Sequence, residues 1–169
     1  MADWRTGLPY RPNVGICLIN KEGLLWMGRT ETAGPEIVSP GHEWQMPQGG
    51  IEEDEDILAA AKRELLEETA IRSVEWLAQT DEWWPYDFPA DYEPTGYKLD
   101  HFCGQKQKWV AFRFTGQASE IDISADAVDE PQEFFEWDWL TTQQAMSRAM
   151  TNKRTQYERV FSAFKKYLA

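Results

Sequence analysis

Between Gly49 and Ile71 the chain reads GGIEEDEDILAAAKRELLEETAI, with Arg63, Glu64, Glu67 and Glu68 at helical offsets behind a glycine-rich turn. At about 100° per residue, the three glutamates fall within roughly one third of a helix circumference. Carboxylates held that close repel one another, and a divalent cation between them relieves the repulsion. Hard cations such as Mg²⁺ take carboxylate oxygens and share their remaining coordination with water and substrate phosphates. Ile57, Leu58, Ala61 and Leu65 form an apolar stripe beside the glutamate arc, while Ala59, Lys62 and Leu66 project the other way. The carboxylates therefore belong at the edge of the packed face, where a cleft can form. An acidic surface helix with i,i+3 and i,i+4 charges is the competing reading of the same spacing.

The wider pattern separates the two. The chain carries G-x5-E-x7-R-E-x-x-E-E as Gly49, Glu55, Arg63, Glu64, Glu67 and Glu68, with Leu65 and Ile71 at apolar positions. This resembles the Nudix box, the signature of hydrolases that cleave nucleoside diphosphates linked to another group. One position departs: Ala70 stands where the family pattern has Gly. A Gly just past a helix ends it in the left-handed conformation, and a non-Gly residue there costs ~1–2 kcal/mol. Tyr10–Gly15 (YRPNVG), Trp44–Gly50 (WQMPQGG) and Gly104–Trp109 (GQKQKW) are similar to the Nudix branch of RNA pyrophosphohydrolases and asymmetric diadenosine tetraphosphate hydrolases.

The resemblance implies a site. Glu64, Glu67 and Glu68 are the expected metal ligands, joined by Glu133 in PQEFFEWDW and by a main-chain carbonyl near Gln48 or Gly49. The implied cofactor is Mg²⁺, with Mn²⁺ as substitute. Glu64, Glu67 and Arg63 form the expected catalytic set: Glu64 is the candidate for taking a proton from water, and Arg63 orients box carboxylates including Glu55. Arg11, Lys106, Lys108, Tyr86 and Lys153 are the expected substrate-binding residues; Arg11, Lys106 and Lys108 each have an ordinary surface role as the alternative.

These groups have to be held by a fold. With 169 residues and 42% hydrophobic content, the chain suits one domain, residues 1–169, with a sizeable core. Val14, Ile16 and Leu18 read as a mostly buried strand, followed by a turn at 21–23 and a second strand at 24–28. A loop is expected at 30–42, the box helix from about Glu55 to Thr69, and strands at 74–80, 106–114 and 134–140. Thr141 or Thr142 can cap a helix. A final helix carries Tyr157, Val160, Phe161, Phe164 and Leu168 as a core stripe. Residues 81–104 read as a long irregular connection, a kind of segment that is often functional. Its aromatics Trp83, Trp84, Tyr86, Phe88, Tyr92 and Tyr97 are candidates either for stacking on a base or for packing on the core. The element order suits an α/β sandwich, and the resemblance implies the Nudix form, a mixed sheet between helices.

A formal charge of −12 argues against nonspecific duplex DNA binding, which relies on many Lys and Arg phosphate contacts. It does not exclude a polyanionic substrate, because bound metal ions reverse the local potential. No apolar run reaches the length of a membrane span, and no apolar signal core begins the chain. Cys17 and Cys103 read as reduced thiols of a cytoplasmic protein, and a monomer is expected. The expected substrate is a dinucleoside polyphosphate such as diadenosine tetraphosphate, a 5′-triphosphate RNA end, or both. Asn152 stands where RNA-acting relatives commonly have an aromatic before a Lys-Arg pair, here Lys153-Arg154, and Tyr86–Pro89 looks like the dinucleotide hydrolases. A noncatalytic nucleotide sensor on the same fold is the alternative class, disfavoured because such sensors usually lose box carboxylates.

Overall fold

Residues 13–19 hold a nearly unbroken run of apolar side chains, a pattern that lets a strand be buried on both faces. In the computed structural model, which describes residues 2–31, 35–36, 40–124 and 131–169, this run forms most of β1 (Tyr10–Ile19) at the centre of a sheet. Along one edge β1 pairs in parallel with β7 (Gly104–Phe114) over its whole length, from Tyr10↔Gly104 to Ile19↔Arg113. Along the other it meets β4 (Gln48–Gly50) and then β2 (Leu25–Thr30). β2 carries β3 (Trp44–Gln45) and β8 (Phe134–Leu140), while β7 carries β5 (Val74–Gln79) and β6 (Trp84–Asp87). All named pairs except β1–β7 are antiparallel, so the sheet is mixed.

Alternation along β1 and β7 builds two cores. Val14, Ile16, Leu18, Val110 and Phe112 face Ala60, Ala61 and Leu65 of α1 (Ile57–Thr69). Cys17, Ile19, Trp109 and Ala111 face the opposite layer, formed by Ala145 of α2 (Thr142–Arg148) and by Tyr157, Val160 and Phe161 of α3 (Arg154–Ala163). The architecture is the expected α/β sandwich, with helices on both sides of a mixed sheet. Among the described residues no helix is long and apolar enough to cross a membrane, and Cys17 and Cys103 are unbridged.

The helix ends follow capping chemistry. Asp56 caps α1 by accepting from the Ala59 N–H at 3.1 Å, so the helix begins at Ile57 rather than at Glu55, whose carboxylate is drawn off to Arg63. Thr141 caps α2 by accepting from the Gln144 N–H, and its own N–H donates back to Gln144 Oε1. α3 is shorter than its apolar stripe: Phe164 closes it, and Leu168 lies beyond a 3-10 turn at Lys165–Tyr167.

Three strands were not expected. β3 and β4 are too short to carry a period. β6 lies inside the connection read as irregular, hidden by Pro85, which an edge strand tolerates. Much of the expected 30–42 loop, residues 32–34 and 37–39, lies outside the described residues.

Ala70 closes α1 at φ 63°, with its N–H on the Leu66 carbonyl. The structure thus requires the left-handed conformation that the box pattern assigns to Gly. That strain costs ~1–2 kcal/mol, against ~0.4–1 kcal/mol of extra unfolded-state entropy for Gly. Ala70→Gly is therefore expected to raise stability by about 0.5–1 kcal/mol, measured as a higher urea midpoint at unchanged slope. A lower midpoint would show that the turn carries no strain.

Candidate active site

A cleft of about 460 Å³ opens where β4, the start of β1 and the polar edge of α1 converge. Glu64, Glu67 and Glu68 all line it, joined from β8's approach by Glu133 and from β1 by Arg11. β4 admits these side chains because it is glycine-rich. A Cβ on Gly49 would lie 2.0 Å from the Glu64 carboxyl carbon, and one on Gly50 would lie 2.4 Å from Arg11 Nη2. Either methyl group would occupy the space taken by a charged group of the site.

Arg63 ties the loop to the helix. Its Nε and Nη2 donate to the two oxygens of Glu55 at 2.7 and 2.8 Å, and Nη2 also reaches the Gly50 carbonyl at 2.9 Å. Nη1 donates to Glu64 Oε1 at 2.8 Å and more loosely to Glu67 at 3.3 Å. The paired guanidinium holds the Glu55 carboxyl down at about 2. Arg63 itself is raised, chiefly by the Glu55 bond.

The glutamates deeper in the cleft behave oppositely. Burial pushes Glu64 up to about 7 despite its bond to Arg63, with Glu67 adding repulsion. Glu68 is driven well above the carboxylate range by burial first, then by the charges of Glu133 and Glu64. The Gln48 main chain gives Glu68 one compensating hydrogen bond, but its buried Oε2 has no hydrogen-bond partner. A buried carboxylate oxygen without a donor, among other carboxylates, fits a cation. Hard oxygen donors of this kind suit Mg²⁺ or Mn²⁺. Among the described residues, no three acidic, His or Cys groups are already drawn into a closed ligand set; Arg63 holds Glu64 and Glu67 instead.

The other expected substrate residues lie elsewhere. Lys106 and Lys108 do not line the cleft: both ammonium groups rest on the Trp83 ring, 4.9 Å from its centroid. Strand alternation turns them away from the face on which Gln105 and Gln107 bond Asn13. Tyr86 presents no free ring to the cleft. Its hydroxyl donates to Glu36 Oε1 at 2.6 Å and accepts from Gln105 Nε2 at 2.7 Å. Lys153 is buried, with its ammonium on Gln45 Oε1 at 2.5 Å and 3.9 Å from Glu36. The aromatic that does line the cleft is Tyr97, leading into a 3-10 turn at Lys98–His101. Gln45, Gln48 and Glu36 also line it. Tyr97 was visible only as one of six aromatics in a long connection, and no local signal marks Gln45 or Glu36. A second groove of about 480 Å³ over Trp44, Phe135 and Arg148 holds none of the box carboxylates.

Comparison with known proteins identifies the family and the fold. The NUDIX domain family matches residues 9–163. An RNA pyrophosphohydrolase of Bradyrhizobium sp. (strain ORS 278) is 48% identical over 158 residues, 93% of each chain. One from Afipia carboxidovorans is 44% identical over 160 residues, 95% of each. Among solved structures, an Ap4A hydrolase of C. elegans in binary complex superposes with a TM-score of 0.59 at 19% identity, covering 91% of this chain and 98% of that one. The E. coli dihydroneopterin triphosphate pyrophosphohydrolase gives 0.60 at 16% identity, covering 89% and 96%. At those identities the two structures speak to the fold alone.

The raised carboxyls have a thermodynamic sign. Between pH 4.5, the ordinary glutamate value, and about 7, folded Glu64 binds more protons than unfolded Glu64. Stability of the metal-free protein should therefore fall as pH rises through that window. Glu64→Gln is expected to flatten the fall in Tm between pH 5 and 8, measured with chelator present. Added Mg²⁺ should raise the wild-type Tm more at pH 8 than at pH 5, because the ligands must be deprotonated to bind it. Identical pH profiles for wild type and Glu64→Gln would contradict the assignment.

Proposed function

The chain belongs to the Nudix family, and on that premise we propose that it is a metal-dependent hydrolase of phosphoanhydride bonds that removes pyrophosphate from 5′-triphosphate RNA ends. The observation that carries this reading is the desolvated carboxylate cluster facing Arg11 across one cleft. The relatives named RNA pyrophosphohydrolase, matched over nearly their whole length, support the substrate class. Retention of every box carboxylate speaks against a noncatalytic sensor. The unbridged cysteines suit a reducing, cytoplasmic setting.

In this reading Glu64, Glu67, Glu68 and Glu133 hold Mg²⁺, or Mn²⁺ in its place. When bound, such a cation neutralises phosphoryl oxygens and makes water a better nucleophile. Arg63 keeps Glu64 and Glu67 oriented through the bonds described above. Arg11, held by Gln105 Oε1 at 3.2 Å, donates to a phosphate oxygen. Glu64 receives the proton lost by the attacking water. Tyr97 offers its ring to the first base.

Dinucleoside polyphosphates form a second reading, favoured by Asn152. Its amide donates to Glu36 Oε2 at 2.8 Å, giving a polar wall where an aromatic platform is common in RNA-acting relatives. Turnover of 5′-triphosphate RNA and diadenosine tetraphosphate, measured side by side, separates the two: a higher kcat/KM on RNA is expected, and the reverse order would overturn the preference.

Glu68→Gln is expected to lower kcat by at least about a hundredfold at saturating Mg²⁺, given the several kcal/mol a metal supplies, with the fold intact by circular dichroism. Retention of more than about a tenth of the wild-type rate would remove Glu68 from the reaction.

Tyr97→Ala is expected to weaken substrate binding by about 1–3 kcal/mol, the worth of one base–aromatic stack. Tyr86→Phe should instead lower Tm, through loss of about 1–3 kcal/mol of charge-assisted hydrogen bonding to Glu36, and leave KM in place. A raised KM for Tyr86→Phe with an unchanged one for Tyr97→Ala would exchange the two roles.

A further inference from the structure

Lys153 is a charged side chain with almost no access to water, 3% exposed, and the reaction as described makes no use of it. Its ammonium has three donors and no acceptor, so the Gln45 side chain must turn its carbonyl oxygen toward it. That contact is 2.5 Å. With its Oε1 committed, Gln45 can present only its NH₂ group on the other side. There it meets Glu133 Oε1 at 3.0 Å, and an ionised carboxylate can only accept. The amide orientation is thus settled at both ends. Gln45 is itself nearly buried, 3% exposed, at the cleft wall. Lys153 is kept in place by the carboxylate of Glu36, which is also held by Tyr86, Gln105 and Asn152.

We propose that Gln45 and Lys153 are positioning residues for the cation site: the buried ammonium locks the amide, and the amide holds Glu133 in the cleft beside Glu64, Glu67 and Glu68. The inference rests on the reading that these carboxylates bind a divalent cation. Glu133 precedes β8, outside the box helix, so no helical offset sets its distance from Glu68. The Lys153–Gln45–Glu133 chain supplies one such constraint. It reaches from the turn before α3, through β3, to the approach to β8, and so couples the α3 layer to carboxylates that stand on the opposite helix. Groups that orient metal ligands in this way typically change metal affinity by about 10- to 100-fold when removed.

The test is Mn²⁺ affinity, measured by electron paramagnetic resonance on the nucleotide-free full chain. Gln45→Met keeps the side-chain volume and removes the amide. Lys153→Met does the same for the ammonium. Each is expected to raise the Mn²⁺ Kd about tenfold or more, and Glu133→Ala by at least as much. In the Glu133→Ala background, Gln45→Met should add nothing, because its effect passes through Glu133. If Gln45→Met alone does not fold, the pair Gln45→Met/Lys153→Met leaves no unpaired charge between them and serves in its place, with the same expected Kd. A Kd within twofold of wild type for a folded Gln45→Met protein would overturn the proposal. So would multiplicative effects of Gln45→Met and Glu133→Ala, since those would mean independent action. Glu68→Gln separates the levels: if it abolishes Mn²⁺ binding while Glu133→Ala leaves the Kd within twofold of wild type, the positioning role falls and the metal reading stands. If Glu68→Gln leaves Mn²⁺ bound as in wild type, the metal reading falls as well.

Discussion

The guanidinium of Arg63 joins the loop after β4 to the helix that carries the charge. Two of its N–H groups grip Glu55 in a fork, a third bond reaches the Gly50 carbonyl, and the remaining nitrogen holds Glu64 and Glu67. A planar, permanently charged group with donors in fixed directions is suited to this task in a way that an ammonium is not. Without it, the Glu55 carboxylate would lose its bond to α1, and Glu64 and Glu67 would lose the donor they share. The rest of the cleft takes its shape from this joint: Gly49 and Gly50 lie flat because charged groups occupy the space above them.

Electrostatic conflict runs through the site. The same helix carries Glu55's partner at its solvent edge and two disfavoured anions at its inner edge. Glu55 is comfortable because it is matched by Arg63. Glu68 is uncomfortable because burial removes water and Glu133 and Glu64 add like charge. Such a cluster is a poor contributor to the stability of the bare fold and a good one to cation binding. The cost is carried by the two cores, where β1 and β7 are packed from both sides.

Behind Glu36, which lines the cleft, runs a buried chain of neutral amides that ends on its carboxylate. Gln156 donates to the Trp84 carbonyl and to Gln107, Gln107 to Asn13, Asn13 to Gln105, and Gln105 to Glu36 and Tyr86. Buried amides in a continuous hydrogen-bonded chain hold a single arrangement, since each bond fixes the orientation of the next. Tyr86 belongs to this chain, its hydroxyl fixed between Glu36 and Gln105, and it does not line the cleft.

What the linear sequence determined is whatever depends on short spacing. Gly49, Glu55, Arg63, Glu64, Glu67 and Glu68 lie within 20 residues of one another, and helical periodicity alone places the glutamates on one arc. The two-faced central strand, the Thr141 end of its helix and the strain at Ala70 are equally local, and all can be reasoned from residue type. The tertiary structure decided everything that joins distant segments. Lys153 meets Gln45 across 108 positions, and Gln45 meets Glu133 across 88, so no periodicity relates them. Lys106, Lys108 and Tyr86 sit in segments that suggested substrate contact. Their directions are set by the pairing of β6 with β7 and by neighbours such as Trp83 and Glu36, which a linear reading does not supply. Tyr97 reaches the cleft for the same reason in reverse: the chain between β6 and β7 folds back over the carboxylates, and only that path distinguishes it from five other aromatics nearby.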